Sequence, residues 1–147
     1  MPGIKGEITD FTGTLTYNSY RGQWYRSSWK GRRASSGGVL YNLGIHLIDA
    51  LQWIFGRPTE VELFVEDDSG AGGVFHWGDK GSIRWLLSTN GEGQKRELSL
   101  AAGPKIDFTT GINLHPSFYS TVLAGTSTGI ADALPAIELI EALRESL

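Results

Sequence analysis

The sequence predicts an α+β fold in which one amphipathic helix precedes a succession of short strands. Apolar residues recur at three- and four-residue spacing from Leu40 to Phe55, which is typical of a helix with one buried face. Alternating segments separated by tight turns then run through residues 60–108, and they indicate a largely antiparallel meander. A second apolar helix pattern, with Ile137, Leu139, Ile140 and Leu143, closes the chain.

The composition narrows the class of protein. The chain has 147 residues, of which 40% are hydrophobic and 20% charged, and its net charge is -3. It contains no cysteine, which excludes disulfides and thiolate metal sites, and its histidines lack metal-ligand spacing. No apolar run approaches the roughly 20 residues of a membrane span, and no signal-peptide pattern opens the sequence. We therefore expect one cytoplasmic domain, 1–147, with no metal and no membrane partner.

The first predicted element is a strand over 7–17, where threonines mix with apolar residues. A polar, aromatic loop follows over 18–36. Between Arg21 and Arg33 it carries five basic residues and no acid, interleaved with aromatic rings. Such groups suit phosphate oxygens and a base or sugar ring, but the same residues also allow a solvated loop whose tryptophans pack on the core. Nucleic acid is the weaker interpretation, because the rest of the chain is acidic.

The helix over 40–55 is expected to end at a left-handed Gly56, since Pro58 cannot continue it. At about 100° per residue, a second stripe falls within roughly a 60° arc opposite the apolar face. That stripe comprises Asn42, His46, Asp49 and Trp53. A carboxamide, an imidazole and a carboxylate in one row can hold a sugar hydroxyl and move its proton. The alternatives are that His46 is an ordinary surface or core residue and that Asn42 is a helix N-cap.

The remaining elements follow from alternation and turn residues. Strands are predicted at Glu60–Glu66, 73–77, 82–89, Gln94–Leu100 and 106–108. A turn is predicted at 67–70, and hairpin connections at 78–81 and at Asn90-Gly91. A helix is predicted over 114–123 with Gly125 as its C-cap. Asp132 is expected to cap the last helix, with Pro135 in its first turn.

Several of these stretches resemble the Gfo/Idh/MocA family of NAD(P)-dependent sugar oxidoreductases. The helix carries Gly37-Gly38-(x)3-Asn42-(x)3-His46-(x)2-Asp49, and Arg21-Gly22-Gln23-Trp24-Tyr25-(x)3-Trp29-Lys30-Gly31 precedes it. Ile83-Arg84-Trp85-Leu86-Leu87-Ser88 and Leu114-His115-(x)3-Tyr119-(x)3-Leu123-Ala124-Gly125 follow it. The resemblance is closest to the branch that oxidises UDP-N-acetylglucosaminuronic acid at the sugar's C3 in bacterial polysaccharide synthesis. Many family members carry Asp at position 42, whereas that branch is similar to this chain in carrying Asn.

The resemblance covers only the C-terminal half of such an enzyme. No Gly-x-Gly-x-x-Gly motif occurs, and the family's catalytic lysine in a Glu-Lys-Pro motif has no counterpart. The implied fold is an α+β domain like the C-terminal domain of glyceraldehyde-3-phosphate dehydrogenase. In it, an open, mainly antiparallel sheet has helices on one face and subunit contacts on the other. The N-terminal Rossmann domain that would hold NAD or NADP is expected to be absent, so we expect the chain alone to be inactive.

The resemblance also implies roles for individual residues. His46 would move the hydroxyl proton and Asn42 would position the hydroxyl. A UDP-sugar would be held by the loop residues Arg21, Trp24, Tyr25, Trp29 and Lys30. His76 is expected to face solvent or a subunit contact, and His115 to anchor a helix. A homo-oligomer through the sheet face is expected in every case, and the alternative function is a non-catalytic self-association or sugar-binding module.

Overall fold

The computed structural model describes residues 10–103, 105–109, 121–126 and 129–147. The strands are β1 (Phe11–Ser19), β2 (Glu60–Glu66), β3 (Gly70–His76), β4 (Gly81–Ser88), β5 (Gln94–Leu100) and β6 (Lys105–Asp107). The helices are α1 (Gln23–Ser27), α2 (Arg33–Ser36), α3 (Ile45–Phe55) and α4 (Ile130–Glu145). A π-helical turn, Leu40–Gly44, leads directly into α3, and 3₁₀ turns occupy Trp29–Gly31 and Gly78–Lys80. The predicted loop over 18–36 therefore contains three short helical turns.

The six strands form one open sheet in the order β2-β3-β4-β1-β5-β6, which confirms the predicted α+β fold. Four of the five pairings are antiparallel, and β1 pairs with β4 in parallel. The meander is therefore interrupted, because the first strand of the chain lies between β4 and β5. The hairpin predicted at Asn90-Gly91 is wrong for the same reason, since β4 and β5 are not neighbours.

The loop between β4 and β5 crosses the end of β1 instead. The side-chain amide of Asn18 donates to the carbonyls of Glu92 and Gly93, both at 3.2 Å. A Cβ on Gly91 would meet the Asn18 side-chain amide, so any larger residue would have to displace that side chain. The Asn90-Gly91 pair thus lets the loop pass close to the end of β1 and does not form a two-residue hairpin.

The predicted bounds of β2 and β5 are confirmed to the residue, whereas β3 begins three residues earlier than predicted. Its glycines have low strand propensity and gave no sequence signal. A Cβ on Gly73 would lie 2.0 Å from the carbonyl oxygen of Glu62, so the backbones approach closely here. The pairing of β2 with β3 shifts register between Leu63 and Val65 at the same place. Strands β4 and β6 each begin one residue before their predicted bounds.

Helices α3 and α4 pack on one face of the sheet and form the core with it. The apolar stripe of the long helix is buried as predicted, with Leu40 and Leu51 at most 1% exposed. From the sheet, alternate residues such as Ile83 and Trp85 enter the same cluster. The end of α3 is fixed by Gly56, whose φ is +79°, and by the Trp77 indole, which donates to the Gly56 carbonyl at 2.9 Å.

The last helix begins two residues before the predicted Asp132 cap. Gly129 is its N-cap, and its N–H donates to the Asp132 carboxylate at 2.6 Å, so the aspartate caps from inside the first turn. Pro135 consequently lies in the second turn, not the first. The predicted helix over 114–123 falls mostly outside the described residues, but 121–123 is helical and Gly125 has a φ of +70°. None of the helices in the described ranges has the length and apolar character needed to cross a bilayer.

Candidate functional site

A cavity of about 450 Å³ lies where the helix formed by the π turn and α3 meets strands β1 and β5. Asn42 and His46 come from the helix, and Arg21 comes from the loop after β1. Arg96 and Glu97 come from β5. Its apolar wall consists of Leu15, Leu43, Leu47 and Ala50. The cavity thus combines an imidazole and two guanidinium groups with a mostly apolar lining.

The helix face that lines the cavity differs from the predicted stripe. Asn42, His46 and Ala50 line it, whereas Asp49 and Trp53 are exposed and do not. The π turn is wider than an α turn, so each of its residues rotates less about the helix axis. Asn42 and His46 therefore line the cavity together with Ala50. His46, Asp49 and Trp53 keep α-helical spacing and share the exposed side of α3, away from the apolar face, but Asp49 and Trp53 lie outside the cavity lining.

Asn42 ties the basic loop to the helix. Its side-chain amide nitrogen donates to the Lys30 carbonyl at 2.9 Å and to the Tyr25 hydroxyl and Ser36 hydroxyl, each at 3.1 Å. Tyr25 is 3% exposed, so its ring anchors the loop in the protein interior. The N-cap interpretation of Asn42 is wrong, because it lies inside the π turn and caps no helix.

Other residues of this chain fill the space beside the glycine pair that precedes the helix. Gly37 and Gly38 have φ of +81° and +82°, a conformation that side chains rarely adopt. Arg144 of α4 donates to the Gly37 carbonyl, and a Cβ on Gly38 would lie 3.4 Å from a Glu66 carboxylate oxygen. The space beside the glycine pair is therefore filled by an ionic cluster.

That ionic cluster joins α4 to the end of β2. The Glu66 side chain is 2% exposed and accepts from Arg144 at 2.7 Å, with Arg33 at 3.4 Å. This pairing raises the pKa of Arg144, chiefly through its hydrogen bond to Glu66. The Arg144 guanidinium also lies 5.3 Å from the ring of Tyr41, whose hydroxyl bonds to Glu141. Burial and that hydrogen bond raise the pKa of Tyr41.

Different contacts position the two arginines that line the cavity. Arg21 is anchored by its backbone N–H, which donates to Thr89 at 3.1 Å, and the Arg96 guanidinium lies 5.0 Å from the ring centroid of Tyr17. The Nε of each is buried without a hydrogen-bond partner among the described residues. Glu97 is already paired with Lys105 at 2.8 Å. The charge that the cavity offers to a ligand is therefore positive.

Sequence patterns did not single out Arg96. It was placed on the predicted strand Gln94–Leu100, but its approach to the site depends on the pairing of β5 with β1, where Tyr17 and Arg96 are direct partners. No local signal encodes that register. The residue opposite an aromatic on a neighbouring strand becomes identifiable only when the strand order is known.

A second cavity of about 460 Å³ adjoins the first and shares Arg21 with it. Arg26 also lines it and donates to the Asn90 side chain at 2.7 Å. Trp24 and Trp29 are 57% and 60% exposed and line neither cavity, so the interpretation that these tryptophans pack on the core is wrong. The Lys30 ammonium lies 5.9 Å from the Trp29 ring and likewise lines neither. Of the predicted substrate-binding residues, Arg21 alone lines these two cavities.

His76 does not line the two cavities. His76 is half-buried at the end of β3, with its Nε2 2.8 Å from the Glu62 carboxylate. His115 is outside the described residues. In the part of the chain that the structure describes, no group of three His, Cys, Asp or Glu side chains could hold a metal ion.

Comparison with known proteins places this geometry in a family context. Residues 3–75 match the profile of the oxidoreductase family, C-terminal alpha/beta domain (GFO_IDH_MocA_C). The WlbA (WbpB) dehydrogenase of Thermus thermophilus, solved with NAD and UDP-GlcNAcA, superposes with a TM-score of 0.81 at 32% identity, over 96% of this chain and 48% of that one. The same enzyme solved with NAD and alpha-ketoglutarate gives a TM-score of 0.76 at 33% identity, over 86% and 44%.

A more distant match shares the fold alone. The WlbA dehydrogenase of Bordetella pertussis, solved with NADH and UDP-GlcNAcA, gives a TM-score of 0.71 at 17% identity, over 96% of this chain and 52% of that one. The chain therefore spans about half the length of the solved structures that it matches.

Proposed function

Since the chain belongs to the Gfo/Idh/MocA oxidoreductase family as a C-terminal alpha/beta domain, we propose that it is the substrate-binding and oligomerisation domain of an NAD(P)-dependent sugar-nucleotide dehydrogenase. The proposed reaction removes hydride from C3 of a UDP-N-acetylhexosaminuronic acid in polysaccharide biosynthesis. The observation that carries the proposal is the cavity that brings His46, Asn42 and Arg21 together. The Thermus thermophilus structure with UDP-GlcNAcA supports the substrate class.

His46 is the proposed proton carrier. Neutral imidazole accepts a proton near neutral pH, which the oxidation of a sugar hydroxyl requires. The ring is exposed at the cavity and lies beside the apolar residues Leu43 and Leu47, against which the sugar would pack. In this account His46 contacts the hydroxyl directly.

Asn42 is proposed to act mainly through the loop. Its amide nitrogen already bonds to three loop oxygens, so it fixes the position of 21–36 over the cavity. Tyr25 supports the loop from below, and Trp24, Trp29 and Lys30 lie on its exposed side, where a uridine ring and phosphates can reach them. Arg21 connects the two cavities, so a sugar in the first and a diphosphate beside Arg26 in the second would share it.

The cofactor of the relatives has no matching site in this chain. A dinucleotide site needs a glycine-rich turn that opens a helix after a strand, and the sequence contains no Gly-x-Gly-x-x-Gly. We therefore assign this chain no step on NAD or NADP. The nicotinamide would be held by another domain, and the present residues bind and orient the sugar.

Self-association through the sheet is supported by apolar side chains on its outer face. Phe64, Val65 and Leu86 are 58%, 51% and 52% exposed, and they line a shallow groove of about 340 Å³. Contiguous apolar patches on a protein surface mark interaction sites, and a second copy is the commonest partner. This face also favours the second candidate function, a non-catalytic self-association or sugar-binding module derived from the family.

Calorimetric titration of this chain with UDP-N-acetylglucosaminuronic acid, with NADH as the control ligand, tests the proposal. We expect binding of the nucleotide sugar that is lost in His46→Ala or Arg21→Ala, and no binding of NADH. Saturation by NADH would contradict the assignment of the cofactor to another domain. Absence of sugar-nucleotide binding would leave the self-association module as the surviving function.

A further inference from the structure

Arg96 has the features of a ligand-binding arginine rather than a structural one. Its backbone is fixed on both sides, since its N–H donates to the Thr109 hydroxyl at 3.0 Å and its carbonyl accepts from Phe108 at 2.7 Å. Its guanidinium lies 5.0 Å from the ring centroid of Tyr17, which fixes the plane of the fork. The strand and the aromatic ring therefore hold the side chain in place before any ligand binds.

The guanidinium is buried at Nε, and none of the described residues provides an acceptor there. By contrast, the Nε of Arg144 donates to Glu66 at 3.3 Å. A buried N–H donor without an acceptor is costly, and the Nε–Nη edge of arginine matches the two oxygens of a carboxylate. The Nε of Arg21, at the same cavity, is also buried and unpartnered among the described residues.

The cavity's own carboxylate does not fill this role. Glu97 lines the cavity, but Lys105 lies 2.8 Å from it and Lys95 3.9 Å. Both arginines therefore retain their charge toward a ligand. Both arginines are half-buried, so a charge-assisted hydrogen bond to either is screened less than one in open water.

The two arginines differ in which cavity they reach. Arg21 lines both cavities, and the second contains Arg26, so Arg21 can reach a diphosphate. Arg96 lines only the cavity that contains His46, where the proposed reaction on the sugar takes place. With the sugar placed in that cavity as proposed, an anionic group beside Arg96 belongs to the sugar, and on a uronic acid that group is the carboxylate.

We infer that Arg96, assisted by Arg21, binds the carboxylate of an acidic sugar and makes the site select a uronic acid over its neutral counterpart. This inference rests on the proposed function, and it names the residue that determines the substrate class. Arg96 contacts the substrate away from the reacting carbon, so it sets specificity and takes no part in proton transfer.

The test compares two ligands that differ only at the sugar's C6, UDP-N-acetylglucosaminuronic acid and UDP-N-acetylglucosamine, in calorimetric titrations. We expect the wild type to prefer the acid. Arg96→Met should weaken binding of the acid about 10- to 100-fold and leave binding of the neutral sugar within about twofold, because one charge-assisted pair is lost. Arg96→Lys keeps the charge without the fork, so it should recover part of the preference.

Arg57→Met is the control. Arg57 is 61% exposed, pairs with Glu138 and lines none of the three cavities, so its replacement should change neither affinity. Circular dichroism of each variant confirms that it is folded. The inference is overturned if the wild type binds both ligands equally, or if Arg96→Met weakens both to the same extent. Failure of the wild type to bind either ligand overturns the proposed function and the inference with it.

Discussion

Replacing Glu66 with alanine should destabilise the fold more than any other single change to a charged side chain described above. The carboxylate is 2% exposed and accepts from Arg144 at 2.7 and 3.3 Å. Breaking a buried ion pair costs about 3–5 kcal/mol, because it leaves a desolvated charge behind. Arg144 is 20% exposed and keeps its bond to Gly37, so we expect about 3 kcal/mol, a large part of the roughly 5–15 kcal/mol of a typical domain.

Urea denaturation followed by tryptophan fluorescence measures this loss. The matched control is Glu62→Ala on the same strand, whose carboxylate is 46% exposed and pairs with His76 at 2.8 Å. An exposed pair contributes about 0–1 kcal/mol, so the control should stay near the wild type. The reasoning is refuted if Glu66→Ala lowers the free energy of unfolding by less than about 1 kcal/mol at an unchanged denaturant slope. The ionic cluster would then not hold α4 to the end of β2.

Three further predictions follow from single positions. Gly38→Ala should cost about 1–2 kcal/mol in urea denaturation, because alanine must adopt a φ of +82° beside Arg33; an unchanged midpoint contradicts this. Leu86→Lys should convert an oligomer into a monomer in sedimentation velocity, and a wild-type monomer would count against the sheet-face contact. The Ser69 hydroxyl and N–H lower the pKa of Asp67 below its ordinary value of 3.8, so its contribution to stability is present above about pH 4 and lost as the pH falls through the lowered pKa. Asp67→Asn should therefore destabilise the chain more at pH 7 than at pH 3, and an equal effect at both would contradict the assignment.

Local patterns were sufficient for the elements whose periodicity is strong. The apolar stripe of the long helix and the alternation in β2 and β5 depend only on neighbouring residues, and the structure confirms them. The position of β1 depends instead on pairing with residues about 70 positions away, such as Thr14 with Arg84. No local signal specifies such a partner, so both the parallel pairing and the crossing loop at Asn90-Gly91 were missed.

The same distinction applies to the candidate site. Helical spacing grouped Asn42 with His46. Both line one cavity, because the four-residue step between them still places them on one side of the helix despite the π turn. Asp49 shares the exposed side of α3 with His46 but lies outside the cavity lining, and helical spacing alone does not show where the cavity ends. Arg96 required the register between β1 and β5. The roles of these residues in binding and proton transfer remain predictions for the experiments above.

The most direct test of the central claim is to record the imidazole resonances of the ¹⁵N-labelled chain by NMR while UDP-N-acetylglucosaminuronic acid is added. The sequence has only three histidines, so His46→Gln assigns the signal of interest. His76 is an internal control, because it pairs with Glu62 on β2 and lines neither cavity. We predict saturable shifts of the His46 resonances with His76 unchanged. Unchanged His46 resonances at a ligand concentration that saturates the calorimetric signal would show that the sugar nucleotide binds elsewhere, and would contradict the proposed site.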